Sequence, residues 1–184
     1  LNWSFNSGSE AFNYLPAASQ LTLTYTVRVT DSSGATADQP ITITISGTND
    51  TPTVSATSPS ATLVEAGGVA NATAGTATAT ITISKGDVDG TASYDASQLT
   101  SNGWSSADGG NTYTKLGSYG SASFSTSTGV VSYTLNNTAA ATQALTAGQA
   151  VSDNFGVIQV TDGTATAQTS ALIFSITGSN DTPT

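Results

Sequence analysis

A chain of 184 residues with 12 acidic and 3 basic side chains carries a net charge of −9, which leaves no basic footprint for nucleic acid or an anionic membrane surface and favours cations. Cys, Met and His are all missing, which excludes a disulfide scaffold and the ligand sets preferred by zinc, iron and copper. Charged residues make up 8% and apolar residues 37%, so Thr, Ser, Asn and Gly must cover the surface of a β-rich core.

In chain order, Leu1-Asn2-Trp3 reads as the inside of a strand, and the ends are expected to be those of a fragment. No apolar run reaches the roughly 20 residues that span a bilayer. Leu21–Val29 and Ile41–Ile45 alternate with a period of two and predict strands, with Asp31-Ser32-Ser33-Gly34 as the turn between them. Beyond Gly47–Thr53, strands are predicted near 54–57, 61–65, 74–84, 112–116, 119–125, 130–136, 153–161 and 167–177. Turn chemistry at Gly86–Gly90, Ala107–Gly110, Ser125–Gly129 and Asp162-Gly163 separates them. No segment carries a sustained helical period. About seven or eight short strands predict an all-β, Greek-key β-sandwich. Ile81, Ile83, Tyr119, Phe124, Tyr133, Leu135, Leu145, Phe155, Val160, Ile173 and Ile176 are the expected core.

The sequence repeats. Gly47-Thr48-Asn49-Asp50-Thr51-Pro52-Thr53 returns as Gly178-Ser179-Asn180-Asp181-Thr182-Pro183-Thr184, an offset of 131, and Val29-Thr30-Asp31 returns as Val160-Thr161-Asp162. Further back the offset is 130, placing Trp3 on Tyr133, Phe5 on Leu135, Leu15 on Leu145 and Tyr25 on Phe155. A bulge in one copy accounts for the one-residue shift. The division that follows is 1–47, the C-terminal half of a preceding sandwich repeat; 48–53, a linker; 54–178, a complete repeat; and 179–184, a linker to the next. Residues 1–53 offer three or four strands and must pack on something else, either their own first half or strands of another chain.

Strand direction sorts the acidic residues into two groups. Asn49, Asp50, Asp87, Asp89 and Asp162 fall at the linker end of the complete repeat, and Glu65, Asp153, Asn180 and Asp181 at the opposite end. Converging carboxylates repel one another unless a cation sits among them, and hard oxygen ligands without His or Cys select Ca²⁺. Plain loop capping is the alternative for any single Asp. Trp104, Tyr113 and Tyr119 are candidates to stack on a sugar, with Asn102, Asp108 and Asn111 bonding its hydroxyls; a long hairpin whose aromatics cap the sandwich is the favoured alternative. Without His or a recognisable nucleophile motif, no enzyme is expected.

As an ordered set, Gly86-Asp-Val-Asp-Gly90, Tyr119-Gly120, Val131–Leu135, Ala144–Gly148, Val160–Gly163 and Ile176–Pro183 resemble the VCBS repeat of large secreted bacterial proteins, RTX-type surface adhesins among them. The arrangement is also similar to cadherin repeats, where a linker Asn-Asp, an Asp-x-Asp, a later Asp and a base Glu bind Ca²⁺ between domains. On this chain those roles fall on Asn49 and Asp50, Asp87 and Asp89, Asp162, and Glu65. Copy one departs from copy two in having Leu23 where copy two has Asp153. The resemblance implies an Ig-like or cadherin-like tandem repeat on a bacterial cell surface. It would serve as a calcium-stiffened spacer in adhesion or biofilm, with neighbouring repeats as partners and no membrane insertion. The alternatives are a filament or sheath subunit completed by strands of a neighbouring chain, and a carbohydrate-binding module.

Overall fold

A computed structural model describes residues 2–181. In chain order its strands are β1 (Gln20–Thr30), β2 (Thr36–Ser46), β3 (Thr53–Ala56), β4 (Leu63–Val64), β5 (Thr78–Gly86), β6 (Ser93–Tyr94), β7 (Thr112–Leu116), β8 (Gly120–Ser125), β9 (Val130–Leu135), β10 (Ala150–Asn154), β11 (Gln159–Thr161), β12 (Thr166–Gln168) and β13 (Ile173–Thr177). Two short helices, α1 (Ala96–Ser101) and α2 (Ala140–Gln143), lie between them. Among the described residues no helix is long and apolar enough to cross a membrane.

The protein is an all-β sandwich with an additional hairpin. One sheet has the order β3-β5-β9-β8-β7, and two smaller sheets, β10-β13-β4 and β12-β11-β6, supply the strands that face it. All pairs are antiparallel except β4 with β13, which run parallel. Period-two alternation turns Ile81 and Ile83 of β5, Phe124 of β8, and Val131, Tyr133 and Leu135 of β9 inward, where they meet Phe155, Leu172, Phe174 and Ile176. Aromatic rings fasten the layers: Tyr133 stacks on Phe174 at 4.8 Å, and Trp104 lies 5.8 Å from Phe155 and 6.4 Å from Phe124. Ile173, expected in the core, faces outward, since Leu172, Phe174 and Ile176 hold the inner face of that strand.

The expected strands 153–161 and 167–177 each break into two. Gly156, at φ +79, ends the run that begins with β10, and the chain resumes as β11 in a different sheet. Across the break the arms stay bonded, Phe155 N–H to Leu172 O at 2.9 Å and Thr169 N–H to Ile158 O at 3.0 Å. The β1–β2 hairpin, by contrast, runs through eleven consecutive pairs from Gln20↔Ser46 to Thr30↔Thr36.

The two hairpins share one register. Leu21↔Ile45 and Leu23↔Ile43 correspond to Val151↔Ile176 and Asp153↔Phe174, and Arg28↔Asp38 and Val29↔Ala37 correspond to Gln159↔Gln168 and Val160↔Ala167. Copy two carries one extra residue in each arm between those sets, so the insertions compensate and the pairing is kept. The connecting turn is one residue longer in copy one, which restores the offset.

Residues 2–19 run as irregular chain with short turns rather than the strands expected there, because the neighbours that hold β9 on both edges in copy two have no counterpart beside Trp3–Asn6. Trp3 is 57% and Tyr25 50% exposed, so this half keeps an open apolar face. The Thr182–Thr184 part of the second linker, Pro183 included, lies outside the described residues.

Helix α1 is too short to show a period, but its start is legible. Asp95 caps it, accepting the backbone N–H of Ser97 at 2.9 Å and of Gln98 at 3.1 Å. The Ser97 hydroxyl, ahead of the Gln98 N–H, holds the Asp95 carboxyl below the usual carboxylate range. Asp95→Ala is expected to cost about 1 kcal/mol at neutral pH. A depressed carboxyl stabilises the fold above its unfolded value and loses that contribution as pH falls through its folded value. Urea midpoints of the two proteins should therefore converge on acidification.

Candidate cation sites at the two ends of the sandwich

At the linker end, the structure brings all five expected residues together. Strand β5 delivers the turn Asp87-Val88-Asp89-Gly90, β11 leads into Asp162, and the linker is bonded to both. Asn49 Nδ2 donates to Asp162 Oδ2 at 2.9 Å and to the Asp50 carbonyl at 2.8 Å. The Asp50 N–H donates to Asp89 Oδ2 at 3.1 Å, and the Asp89 N–H to Asp87 Oδ1 at 3.3 Å. One bonded chain thus runs Asp162–Asn49–Asp50–Asp89–Asp87. All five residues are half-buried.

The electrostatics differ along this chain. Asp162 is held below the usual carboxylate range by the Ala165 N–H first, then by the Asn49 side chain and the Thr164 N–H. Asp87 is pushed upward, by burial first, then by the adjoining Asp89 side chain and by the charges of Asp89 and Asp162. Asp87 Oδ2 is buried with no hydrogen-bond partner. An orphaned carboxylate oxygen beside two further carboxylates has a chemistry that fits a hard cation. Among the described residues, no three carboxylates already converge as a finished ligand set. Asn49, Asp50 and rearrangement of these side chains would have to contribute to any such site.

At the opposite end, Glu65, Asn180 and Asp181 gather. Glu65 is 1% exposed; its Oε2 accepts the Ser179 N–H at 3.0 Å and its Oε1 faces Gln143 Nε2 at 3.5 Å. The Gly68 N–H donates to the Asn180 carbonyl at 2.8 Å. Asn180 Nδ2 donates to the Asp181 carbonyl at 3.1 Å, the bond that Asn49 makes to Asp50. Asp181 Oδ1, like Asp87 Oδ2, is buried without a partner.

Asp153 does not join this group. It pairs with Phe174, whereas Glu65 follows Val64, which pairs with Thr177; Glu65 therefore lies about 13 Å further along the strand. At 3% exposure, its Oδ1 accepts the Ser118 N–H at 2.7 Å, and its Oδ2 accepts the Tyr119 N–H at 3.0 Å and the Tyr133 hydroxyl at 2.8 Å. Burial, then the Asp153 carboxylate, pushes the Tyr133 hydroxyl well above the usual tyrosine range. Gly117 makes room for the clamp, since a Cβ there would lie 2.2 Å from Asp153 Oδ2. This clamp is not visible in the sequence, because Asp153 sits mid-strand while its partners lie in a turn and a different sheet.

Of the aromatic sugar candidates, Tyr119 is half-buried against the core, and Trp104 and Tyr113 are interior. Trp104 is 1% and Tyr113 6% exposed, and the Trp104 ring is taken up by Phe124 and Phe155, so neither offers a face to a glycan. Asp108 accepts the Thr112 and Asn111 N–H groups and the Ser106 hydroxyl, and Asn111 Nδ2 donates to the Asp108 carbonyl. Asn102 reaches the Val157 carbonyl at 3.5 Å.

No model of a known protein family matches the chain, and no curated protein matches it either.

Tyr133→Phe removes one donor from a buried carboxylate and is expected to cost about 1–3 kcal/mol. The loss in urea midpoint should be the same with and without added calcium. A calcium-dependent loss would return Asp153 to the cation ligands.

Proposed function

We propose that this chain is a spacer portion of an extracellular bacterial adhesin, stiffened by Ca²⁺ where one sandwich repeat meets the next. The carrying observation is the bonded chain Asp162–Asn49–Asp50–Asp89–Asp87, which ties the linker to two loops of the sandwich that follows and ends on the unpartnered Asp87 Oδ2. Calcium there would draw on Asp87, Asp89, Asp162 and the Asn49-Asp50 pair, and would cancel a repulsion that the cation-free fold bears. Shared ligands remove rotational freedom from a linker, and Pro52 restricts it further. The matching Asn180-Asp181 arrangement supports a second site of the same kind at the far end. A net charge of −9 favours cation uptake at both. A second reading, a filament subunit completed by a neighbouring chain, rests on the open hairpin face.

Titrating calcium while following the melting temperature and the scattering profile tests the proposal. Ligand that binds only the folded state stabilises it by about 2.7 kcal/mol at a hundredfold excess over Kd, and the particle should become more extended. No stabilisation and an unchanged profile would remove calcium from the account. Asp87→Asn sharpens the test. A carboxyl raised in the folded state lowers stability as pH rises through the window between its unfolded and folded values. The variant should accordingly melt higher than the parent in chelator at neutral pH, yet lose most of the calcium response.

A further inference from the structure

We infer that the open face of the β1–β2 hairpin is built to be covered by a five-stranded sheet of the β3-β5-β9-β8-β7 kind, joined in line through Trp3. This goes beyond the proposed spacer role and does not depend on a cation.

Copy two displays the interface. There the face formed by Val151, Asp153, Phe155, Leu172, Phe174 and Ile176 lies on that sheet. The same register in copy one puts Leu21, Leu23, Tyr25, Ile41, Ile43 and Ile45 in those places. The capping contacts recur as well. The Gly47 N–H donates to Ser19 O at 2.9 Å as Gly178 does to Gln149 O at 2.7 Å. Gly47 is crowded by the Leu15 and Pro16 carbonyls, much as Gly178 is by Leu145 and the Thr146 carbonyl.

Two observations fix how the missing sheet is attached. Trp3 and Phe5 stand where Tyr133 and Leu135 of β9 stand in copy two, and they line a groove with Tyr25, Val27, Ile41 and Ile43. The residues at the sequence positions of β9 therefore already lie against the hairpin, although they form no strand there. Second, the Tyr133–Asp153 hydrogen bond of copy two is replaced at both positions together, by Trp3 and Leu23. A polar pair exchanged for an apolar pair keeps the contact satisfied, as expected if these positions face each other in both copies. Another molecule of this chain is a poor occupant, because its own five-stranded sheet is already covered by β10 and β13.

The test grafts residues 53–132 directly ahead of Trp3 in the full chain and follows amide exchange over residues 20–46 by mass spectrometry. Exchange there should slow at least about a hundredfold relative to the ungrafted chain. The graft brings Ser118 and Tyr119 N–H groups that would face Leu23 instead of a carboxylate. A second graft carrying Trp3→Tyr and Leu23→Asp restores that acceptor, so a folding failure of the first has a remedy. Protection in either graft supports the inference. Unchanged exchange over 20–46 in both, with 53–181 still protected or not, overturns it. So does an ungrafted chain that sediments as a dimer with 20–46 already protected, which would assign the face to a second copy. Residues 20–46 hold none of the proposed calcium ligands, so the result is separate from that of the calcium titration.

Discussion

A two-stranded hairpin with one apolar face has to lie on another sheet, and this requirement governs both halves of the molecule. In the complete copy it is met by aromatic rings that cross from layer to layer, Tyr133 on Phe174 and Trp104 between Phe124 and Phe155. Burial of that area is what holds the two smaller sheets against the large one. In the other copy the same register produces the same face, with Tyr25 and Trp3 left half in solvent. The two halves share a pairing register and differ in what covers them, and only copy two changes sheets along its hairpin.

Much of this was legible in the sequence. Period-two alternation located most strands of copy two, and the all-β sandwich followed from their number and spacing. The repeat offsets proved to be pairing offsets, down to the one-residue shift between Tyr25 and Asp31. The splitting of 153–161 was not legible, because a strand that changes sheets keeps its alternation on either side of Gly156. Nor was the outward turn of Ile173, where apolar residues run consecutively from Leu172 to Phe174 and alternation cannot choose between the two faces. Strands expected before Gln20 fail for another reason. Their pattern is sound, but a strand needs neighbours, and composition cannot supply them.

The candidate site was partly legible in the same way. Loop position and strand direction placed Asn49, Asp50, Asp87, Asp89 and Asp162 at one end, and the structure joins them. Asp153 was misplaced on the same grounds, since a count of charges cannot distinguish it from Asp181. The distinction is made by hydrogen-bond donors. Asp153 is surrounded by two main-chain N–H groups and a phenol, while Asp87 and Asp181 each retain a buried oxygen that nothing in the chain satisfies. A buried carboxylate fully supplied with donors is a structural element, and one left short has its chemistry still open.

The parallel pairing of β4 with β13 carries a mechanical consequence. These short strands belong to opposite ends of the repeat: β4 follows closely on the linker, and β13 leads directly out of the sandwich. Tension applied between Thr53 and Thr177 pulls them in opposite directions along their common axis. Their hydrogen bonds, with the Glu65 N–H to Thr177 O bond at 3.0 Å beside them, are then loaded in shear and share the force. A hairpin pulled from its open end would instead surrender its bonds one at a time. The chain enters and leaves this sandwich in the geometry that resists stretching, whatever the load at its ends.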